Sequence, residues 1–239
     1  MEFSTLNESN LHKTLKLIYA EQSNGKTEVE LYGHVYDILT ENNEIIEIQT
    51  GTLVKLLPKI LDTINKGHKI KVVYPLVISK TIETYKEGKL ISKRKSPKKG
   101  NIYSLFKEIT GLYPVLLDNH FSLDLVLADI SEYREKFEDL VQSANNKRRF
   151  RKDWNKTGKK LNFIQDTLHF DKKDDYLKLL PENLPDEFSS KEIKELFIQQ
   201  KFPALATQST NLILWVFNHM NLIELTKIEN KKKYYKINY

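Results

Sequence analysis

Six short amphipathic segments follow one another between residues 7 and 75. Apolar residues at helical spacing come first, then three short segments typical of strands and separated by breaks of hairpin length, then a second helical pattern and a short apolar run. These repeats distinguish helices from strands, because side chains recur on one face about every 3.6 residues in a helix and every second residue in a strand. The predicted α-β-β-β-α-β order indicates an α/β (α+β) fold, with segments at 7–21, 27–31, 34–39, 44–50, 52–66 and 69–75. Pro58 is expected to bend the second helix.

The middle of the chain is less regular. A hairpin is predicted around the Glu87-Gly88 turn, and the basic loop 94–100 follows it. Helices are predicted over 101–117 and 131–143, with a strand over 121–129 between them. Residues 145–160 are polar and basic, which is typical of a linker or an arm.

The C-terminal residues have a pattern of their own. Ser189 and Glu192 have the spacing of a capping box, which opens a helix to about residue 200. A short turn at 204–207, a helix over 209–220 and a hairpin of 222–228 with 233–239 follow. This order is that of a winged helix-turn-helix. We therefore divide the chain into a first domain, 1–143, a basic linker, 144–184, and a smaller winged-helix domain, 185–239.

Positive charge is concentrated in two windows. Residues 80–100 carry a net +6 and residues 147–160 a net +7, and because the whole chain is only +6 the rest carries −7. Localised basic charge is typical of a polyanion-binding surface. The alternative is a pair of solvated loops. With the C-terminal hairpin included, the predicted nucleic-acid contacts are Arg94, Lys95, Lys98, Lys99, Arg148, Arg149, Arg151, Lys231 and Lys232.

The composition excludes several classes of protein. The chain has no cysteine, which excludes disulfide scaffolds, thiol nucleophiles and cysteine-ligated zinc. It has no glycine-rich phosphate loop and no serine elbow, and its six histidines lack the spacing of zinc ligands. Neither a signal peptide nor a long apolar run is evident, so we expect a cytoplasmic protein that does not enter a membrane.

Two acidic residues lie inside otherwise apolar strands. Asp37 belongs to the second predicted strand and Glu47 to the third, and on neighbouring strands two such side chains can share one face. A charge in an apolar strand is unfavourable unless something binds it. Paired carboxylates are the ligands that hold Mg²⁺ or Mn²⁺ for phosphodiester cleavage. The alternative is an ordinary ion-paired set on the sheet.

The element order, together with Asp37, Glu47 and Gln49, resembles the PD-(D/E)XK nuclease superfamily over residues 7–75, about a third of the chain. The resemblance implies that Asp37 and Glu47 bind the metal and that Glu8 is the acidic residue of the first helix. Glu8 also fits the last position of a capping box. Gln49 stands where the motif has lysine, and the resemblance points to Lys55 on the following helix as a substitute. The alternative for Lys55 is a solvated helix position.

These observations predict a Mg²⁺- or Mn²⁺-dependent DNA endonuclease with nucleic acid as its partner. A non-catalytic DNA-binding protein with the same fold stays open, because the amide of Gln49 can orient a water but cannot supply the charge of lysine. A regulator that acts through the winged helix alone stays open too. A homodimer is compatible with all three.

Overall fold

The chain is described by a computed structural model over residues 10–143, 146–200 and 210–238. It begins with α1 (Asn10–Gln22), β1 (Lys26–Leu31), β2 (His34–Leu39), β3 (Ile45–Ile48), α2 (Leu57–Asn65) and β4 (Ile70–Lys86). The predicted α-β-β-β-α-β order is confirmed. A 3-10 turn, Leu53–Leu56, precedes α2, so Pro58 lies in the first helical turn. Pro58 therefore does not bend the helix, since its missing N–H would have no partner there.

Nine further helices and strands follow within the described residues. They are β5 (Lys89–Lys95), α3 (Leu105–Ile109), β6 (Phe121–Val141), β7 (Lys152–Phe170), α4 (Lys173–Leu177), α5 (Ser190–Gln199), α6 (Thr210–His219), β8 (Ile223–Glu229) and β9 (Lys232–Ile237). The helix predicted over 101–117 is limited to α3 and the 3-10 turn Ile102–Ser104 before it. The helix, turn, helix and hairpin order predicted at the C-terminus agrees with α5, α6, β8 and β9, although its turn at 204–207 lies outside the described residues.

Two predictions for the middle of the chain are wrong. Residues 131–141 continue β6 and do not form a helix, and β7 begins at Lys152 inside the predicted linker. β6 and β7 pair as antiparallel neighbours, so the boundary drawn at 143 falls between two strands of one hairpin. The physical reason is that ladder hydrogen bonds hold these largely polar residues in strands, although few of them are buried.

Seven strands form one mixed sheet in the order β1-β2-β3-β4-β6-β7, with β5 beside β4. β1, β2 and β3 are antiparallel neighbours, and α2 connects β3 to β4, which runs parallel to it. β4 and β6 are also parallel. β4 extends beyond the end of β3, and its extension pairs with β5 on the same edge. We call the far part of the sheet, formed by residues 79–95, 131–141 and 152–160, the distal sheet.

Helices pack on both faces of the main sheet. On one face, Leu11 and Leu15 of α1 meet Ile46 of β3. On the other face, Ile60 of α2 and Phe106 of α3 belong to a larger core. No helix in the described ranges is long and apolar enough to cross a membrane.

The C-terminal helices share that larger core. The ring of Phe197 lies 4.8 Å from that of Tyr103, and the ring of Phe217 lies 5.4 Å from that of Phe106. The capping box at the start of α5 is confirmed, with the Ser189 N–H donating to the Glu192 carboxylate at 2.8 Å. β8 and β9 form a small second sheet. The protein is therefore an α+β fold with a large mixed sheet, flanking helices and a small two-stranded sheet.

Candidate active site

Asp37 and Glu47 meet where the ladder between β2 and β3 opens. The pairing of the two strands stops at Ile38 and Ile46, one residue before the two acids would lie opposite each other. Beyond this point, hydrogen bonds from backbone to side chain replace those of the ladder. The Asp37 N–H donates to Oε1 of Glu47 at 3.1 Å, and the Ile48 N–H donates to Oδ2 of Asp37 at 2.8 Å. Each carboxylate is thus held against the backbone of the neighbouring strand.

Asp37 faces α1. His12 Nε2 lies 3.2 Å from its Oδ2, and Lys16 Nζ lies 4.0 Å from its Oδ1. Burial acts to raise the pKa of Asp37, but the bonds from His12 and Ile48 and the charge of Lys16 outweigh it and lower the pKa. Asp37 is therefore ionised at neutral pH.

Glu47 faces α2 and is 5% exposed. Lys59 Nζ donates to its Oε1 at 2.6 Å and to the Val35 carbonyl at 2.7 Å. Burial and the charge of Asp37 raise the pKa of Glu47, although Lys59 counteracts part of this. The two neighbouring acids therefore have pKa values moved in opposite directions, an arrangement that is common where carboxylates have different chemical roles.

A third acid, Glu28 of β1, lies beside the pair. Thr27 pairs with Ile38 and Val29 with Tyr36, so Glu28 occupies the position next to Asp37. Its φ of 55° is in the left-handed region, which is strained for a residue other than glycine. The carboxylate lies 3.0 Å from Lys16 Nζ. Glu28 is exposed, and its contact with Lys16 makes it part of the charged cluster.

Of the remaining predicted catalytic residues, Gln49 and Lys55 do not join the pair. Gln49 Oε1 accepts from the Gly51 N–H, and its Nε2 donates to the Thr52 carbonyl, both at 3.3 Å, so the amide stabilises the loop after β3. Lys55 is exposed. Glu8 lies outside the described residues.

The lysine at this site is Lys59, and sequence reasoning missed it together with His12 and Lys16. His12 and Lys16 are four residues apart on α1, a spacing that places both on one helix face. Lys59 follows Lys55 by four residues on the segment that forms the 3-10 turn and α2. The repeat of basic residues every four positions is the sequence feature that could have identified these side chains.

Asp37 and Glu47 are the residues of this site that could hold a divalent cation. Mg²⁺ takes oxygen ligands, and one or two carboxylates with waters often hold it. Within residues 10–143, 146–200 and 210–238, the hydrogen bonds of the pair use Oδ2 of Asp37 and Oε1 of Glu47. Oδ1 of Asp37 lies 4.0 Å from Lys16 Nζ. The described residues contain no group of three or more acidic or histidine ligands. Asp37 faces α1 and Glu47 faces α2, so the two carboxylates approach the gap between β2 and β3 from different faces of the sheet.

A protein-family model matches residues 9–171, which is more than half of the chain. The chain belongs to the family described as "Domain of unknown function (DUF8091)". It is also 34% identical over 127 residues to an "Uncharacterized protein" of Treponema pallidum (strain Nichols), an alignment that covers 53% of this chain and 50% of that protein. The chain thus spans about half the length of this relative. No solved structure matches it.

The DUF8091 segment contains the seven-stranded sheet, the candidate site and both basic windows. Arg94 and Lys95 lie exposed on β5, and Lys98 and Lys99 lie exposed in the loop that follows it. The loop is bonded to the edge of β4, with the Gly100 N–H donating to the Ile78 carbonyl at 2.9 Å.

The candidate site borders the same edge of β4. The Gln49 N–H donates to the Val73 carbonyl at 2.9 Å, and Ile78 is five residues further along that strand. The five residues from Val73 to Ile78, at about 3.3 Å each, place the Gly100 end of the basic loop about 17 Å from the end of β3.

The second window divides into structural and exposed residues. The guanidinium of Arg148 lies 4.4 Å from the ring centre of Trp154, and Nη1 donates to the Trp154 carbonyl at 2.9 Å. Arg148 is therefore held by the fold. Arg149 and Arg151 are exposed, and so are Lys231 and Lys232 at the C-terminal hairpin turn, which lies beyond the DUF8091 segment.

Proposed function

We propose that this protein is a cytoplasmic, Mg²⁺- or Mn²⁺-dependent nuclease of the PD-(D/E)XK type that acts on DNA. The observation that carries the proposal is the convergence of Asp37, Glu47 and Lys59, two acids on neighbouring strands and a lysine on the next helix, where β2 and β3 separate. The α-β-β-β-α-β order, with an antiparallel β1-β2-β3 unit and parallel β3 and β4, supports it.

Each residue has a role that its surroundings support. Asp37, with a lowered pKa, supplies a permanently charged metal ligand, and Glu47 supplies the second. A divalent cation bound there offsets the charge that develops on a phosphoryl group. Lys59 brings a positive charge to the side of the site opposite α1, in place of the lysine that the motif has at Gln49. Lys98 and Lys99 contact the phosphates that follow along the strand.

The test is cleavage of end-labelled single-stranded and duplex oligonucleotides in Mg²⁺, in Mn²⁺ or in EDTA. We expect cleavage in either metal and none in EDTA. Asp37→Asn and Glu47→Gln should abolish it, and Lys59→Met should slow it by about 100-fold, the effect of removing one stabilising group. Lys55→Met, four residues earlier and exposed, is the matched control and should cleave like wild type. Wild-type rates in both acid variants would place any activity elsewhere.

The second candidate is a DNA-binding protein without catalytic activity. One observation favours it: each acid already has protein partners, with His12 beside Asp37 and Lys59 beside Glu47. In this case the wild type binds DNA but cleaves no substrate in either metal, and Asp37→Asn and Glu47→Gln bind with wild-type affinity.

A further inference from the structure

A groove of about 550 Å³ lies between α6, the start of α5 and the C-terminal hairpin, beyond the DUF8091 segment. Trp215 and Asn211 face it from α6, and Lys231, Lys232 and Lys233 face it from the hairpin. We call it the C-terminal groove.

The C-terminal groove is lined by positive charge, and only one of its lysines, Lys191, has an ion pair among the described residues, with Glu195 at 3.7 Å. Its lining includes four lysines and a histidine but no aspartate or glutamate. The hairpin has other lysines, and those are paired: Lys227 lies 2.5 Å from Glu187, and Lys236 lies 2.7 Å from Glu224. Within the described residues, the three hairpin lysines of the groove form no such pair. These three exposed lysines are therefore available to an anionic partner.

The turn of the hairpin keeps a lysine where the backbone favours glycine. Asn230 and Lys231 have φ values of 49° and 65°, both in the left-handed region. Two-residue hairpin turns of this kind favour Asn-Gly, because a side chain at the second position is strained. Such strain is often retained for function. Lys231 places its charge at the tip of the hairpin despite this strain.

An aromatic surface completes the C-terminal groove. Trp215 is 39% exposed, with its indole stacked on His219 at 3.8 Å between ring centres. Tyr113, from the segment after α3, lies edge-on at 5.7 Å and supports the indole. A flat, half-exposed ring beside lysines can stack a nucleobase, provided that the base is not already stacked in a duplex.

We infer that the C-terminal groove binds a single strand of nucleic acid, with phosphates on Lys231, Lys232 and Lys233 and a base stacked on Trp215. The inference rests on the proposed function for the nature of the polymer and adds that it is single-stranded. The groove would hold one strand of the substrate apart from the carboxylate pair, so binding there does not require a metal.

The experiment measures binding in EDTA, where cleavage does not interfere. The chain has two tryptophans, so Trp154→Phe leaves Trp215 as the sole tryptophan, whose emission can be excited selectively over that of tyrosine, and Trp215→Phe leaves Trp154. We expect a dT15 oligonucleotide to quench the fluorescence of wild type and of Trp154→Phe but not that of Trp215→Phe. Anisotropy of labelled dT15 gives the affinity of each folded variant, as checked by circular dichroism. A matched duplex should bind more weakly than dT15.

The hairpin supplies a matched pair of double variants. Lys231→Gln with Lys232→Gln removes two unpaired charges, and Lys227→Gln with Lys236→Gln removes two paired ones. The first should weaken dT15 binding by tenfold or more and reduce the slope of log affinity against log salt by about 1.4, at about 0.7 per phosphate contact. The second should change affinity by less than threefold. Lys231→Gly should raise the melting temperature and still weaken binding.

The outcomes separate this inference from the proposed function. If both double variants bind dT15 equally well, or if the duplex binds more tightly and leaves Trp215 unquenched, the inference is wrong even where Asp37→Asn abolishes cleavage. If the groove variants lose affinity for dT15 while wild type shows no cleavage, the inference about the groove is supported and the nuclease proposal is wrong.

Discussion

The Lys59 ammonium group lies 2.6 Å from Oε1 of Glu47 and joins α2 to β3. The side chains are 18% and 7% exposed, so solvent screens their attraction only weakly. The contact links the stability of the sheet to the candidate chemistry.

Removal of Lys59 alone should leave an unpaired charge in a buried place. We expect Lys59→Met to lower the free energy of unfolding by about 3 kcal/mol. Lys59→Met combined with Glu47→Gln should recover most of that loss, because neither charge then remains. Urea denaturation at pH 7 measures both. A loss below about 0.5 kcal/mol would show that the pair behaves like an exposed one.

Glu132 should make the protein sensitive to acid. Burial acts to raise its pKa, but bonds from Arg134 and Lys80 lower it to about 2. With a lowered pKa, the unfolded chain binds the proton more tightly, so stability is complete above the ordinary glutamate range and is lost as pH falls toward 2. We expect Glu132 to contribute a loss on the order of 2 kcal/mol. Urea denaturation of wild type and Glu132→Gln between pH 7 and pH 3 measures this loss. If the free energy of unfolding falls equally with pH in both proteins, Glu132 is not its source.

The basic loop after β5 should contribute to DNA affinity without sequence preference. Reversal of two charges, Lys98→Glu with Lys99→Glu, should reduce the salt slope of duplex binding by about 1.8, at about 0.9 per phosphate. The control is Lys107→Glu with Lys194→Glu, two exposed lysines on α3 and α5, which should leave the slope nearly unchanged. Fluorescence anisotropy across a salt series measures it. Equal slopes for the two double variants would exclude the loop.

Divalent cations should stabilise the folded protein through the carboxylate pair. A ligand that binds only the folded state at 100 times its Kd adds about 2.7 kcal/mol. Mn²⁺ should therefore raise the melting temperature of wild type in a thermal scan, and the increase should disappear in Asp37→Asn and Glu47→Gln. An increase of the same size in Gln49→Ala is expected, because the Gln49 amide is bonded within its loop. If the acid variants respond like wild type, the cation binds elsewhere.

Local patterns in the sequence determined the first part of the fold. The helix and strand repeats of residues 7–75 are strong because one face of each element is buried, so they predicted α1 to β4 in order. Asp37 and Glu47 came together for the same reason, since the register of β2 and β3 follows from their apolar residues Ile38 and Ile46.

Only the tertiary structure decided which lysine completes the site and where the distal strands lie. Lys55 and Lys59 are one helical turn apart in sequence, but α2 begins at Leu57, and its packing brings only Lys59 to Glu47. The distal parts of β6 and β7 are polar on a largely exposed surface, so their residues show no repeat that distinguishes a strand from a linker. Their structure depends on hydrogen bonds between segments far apart in sequence, and pairing of that kind leaves no local pattern in the chain.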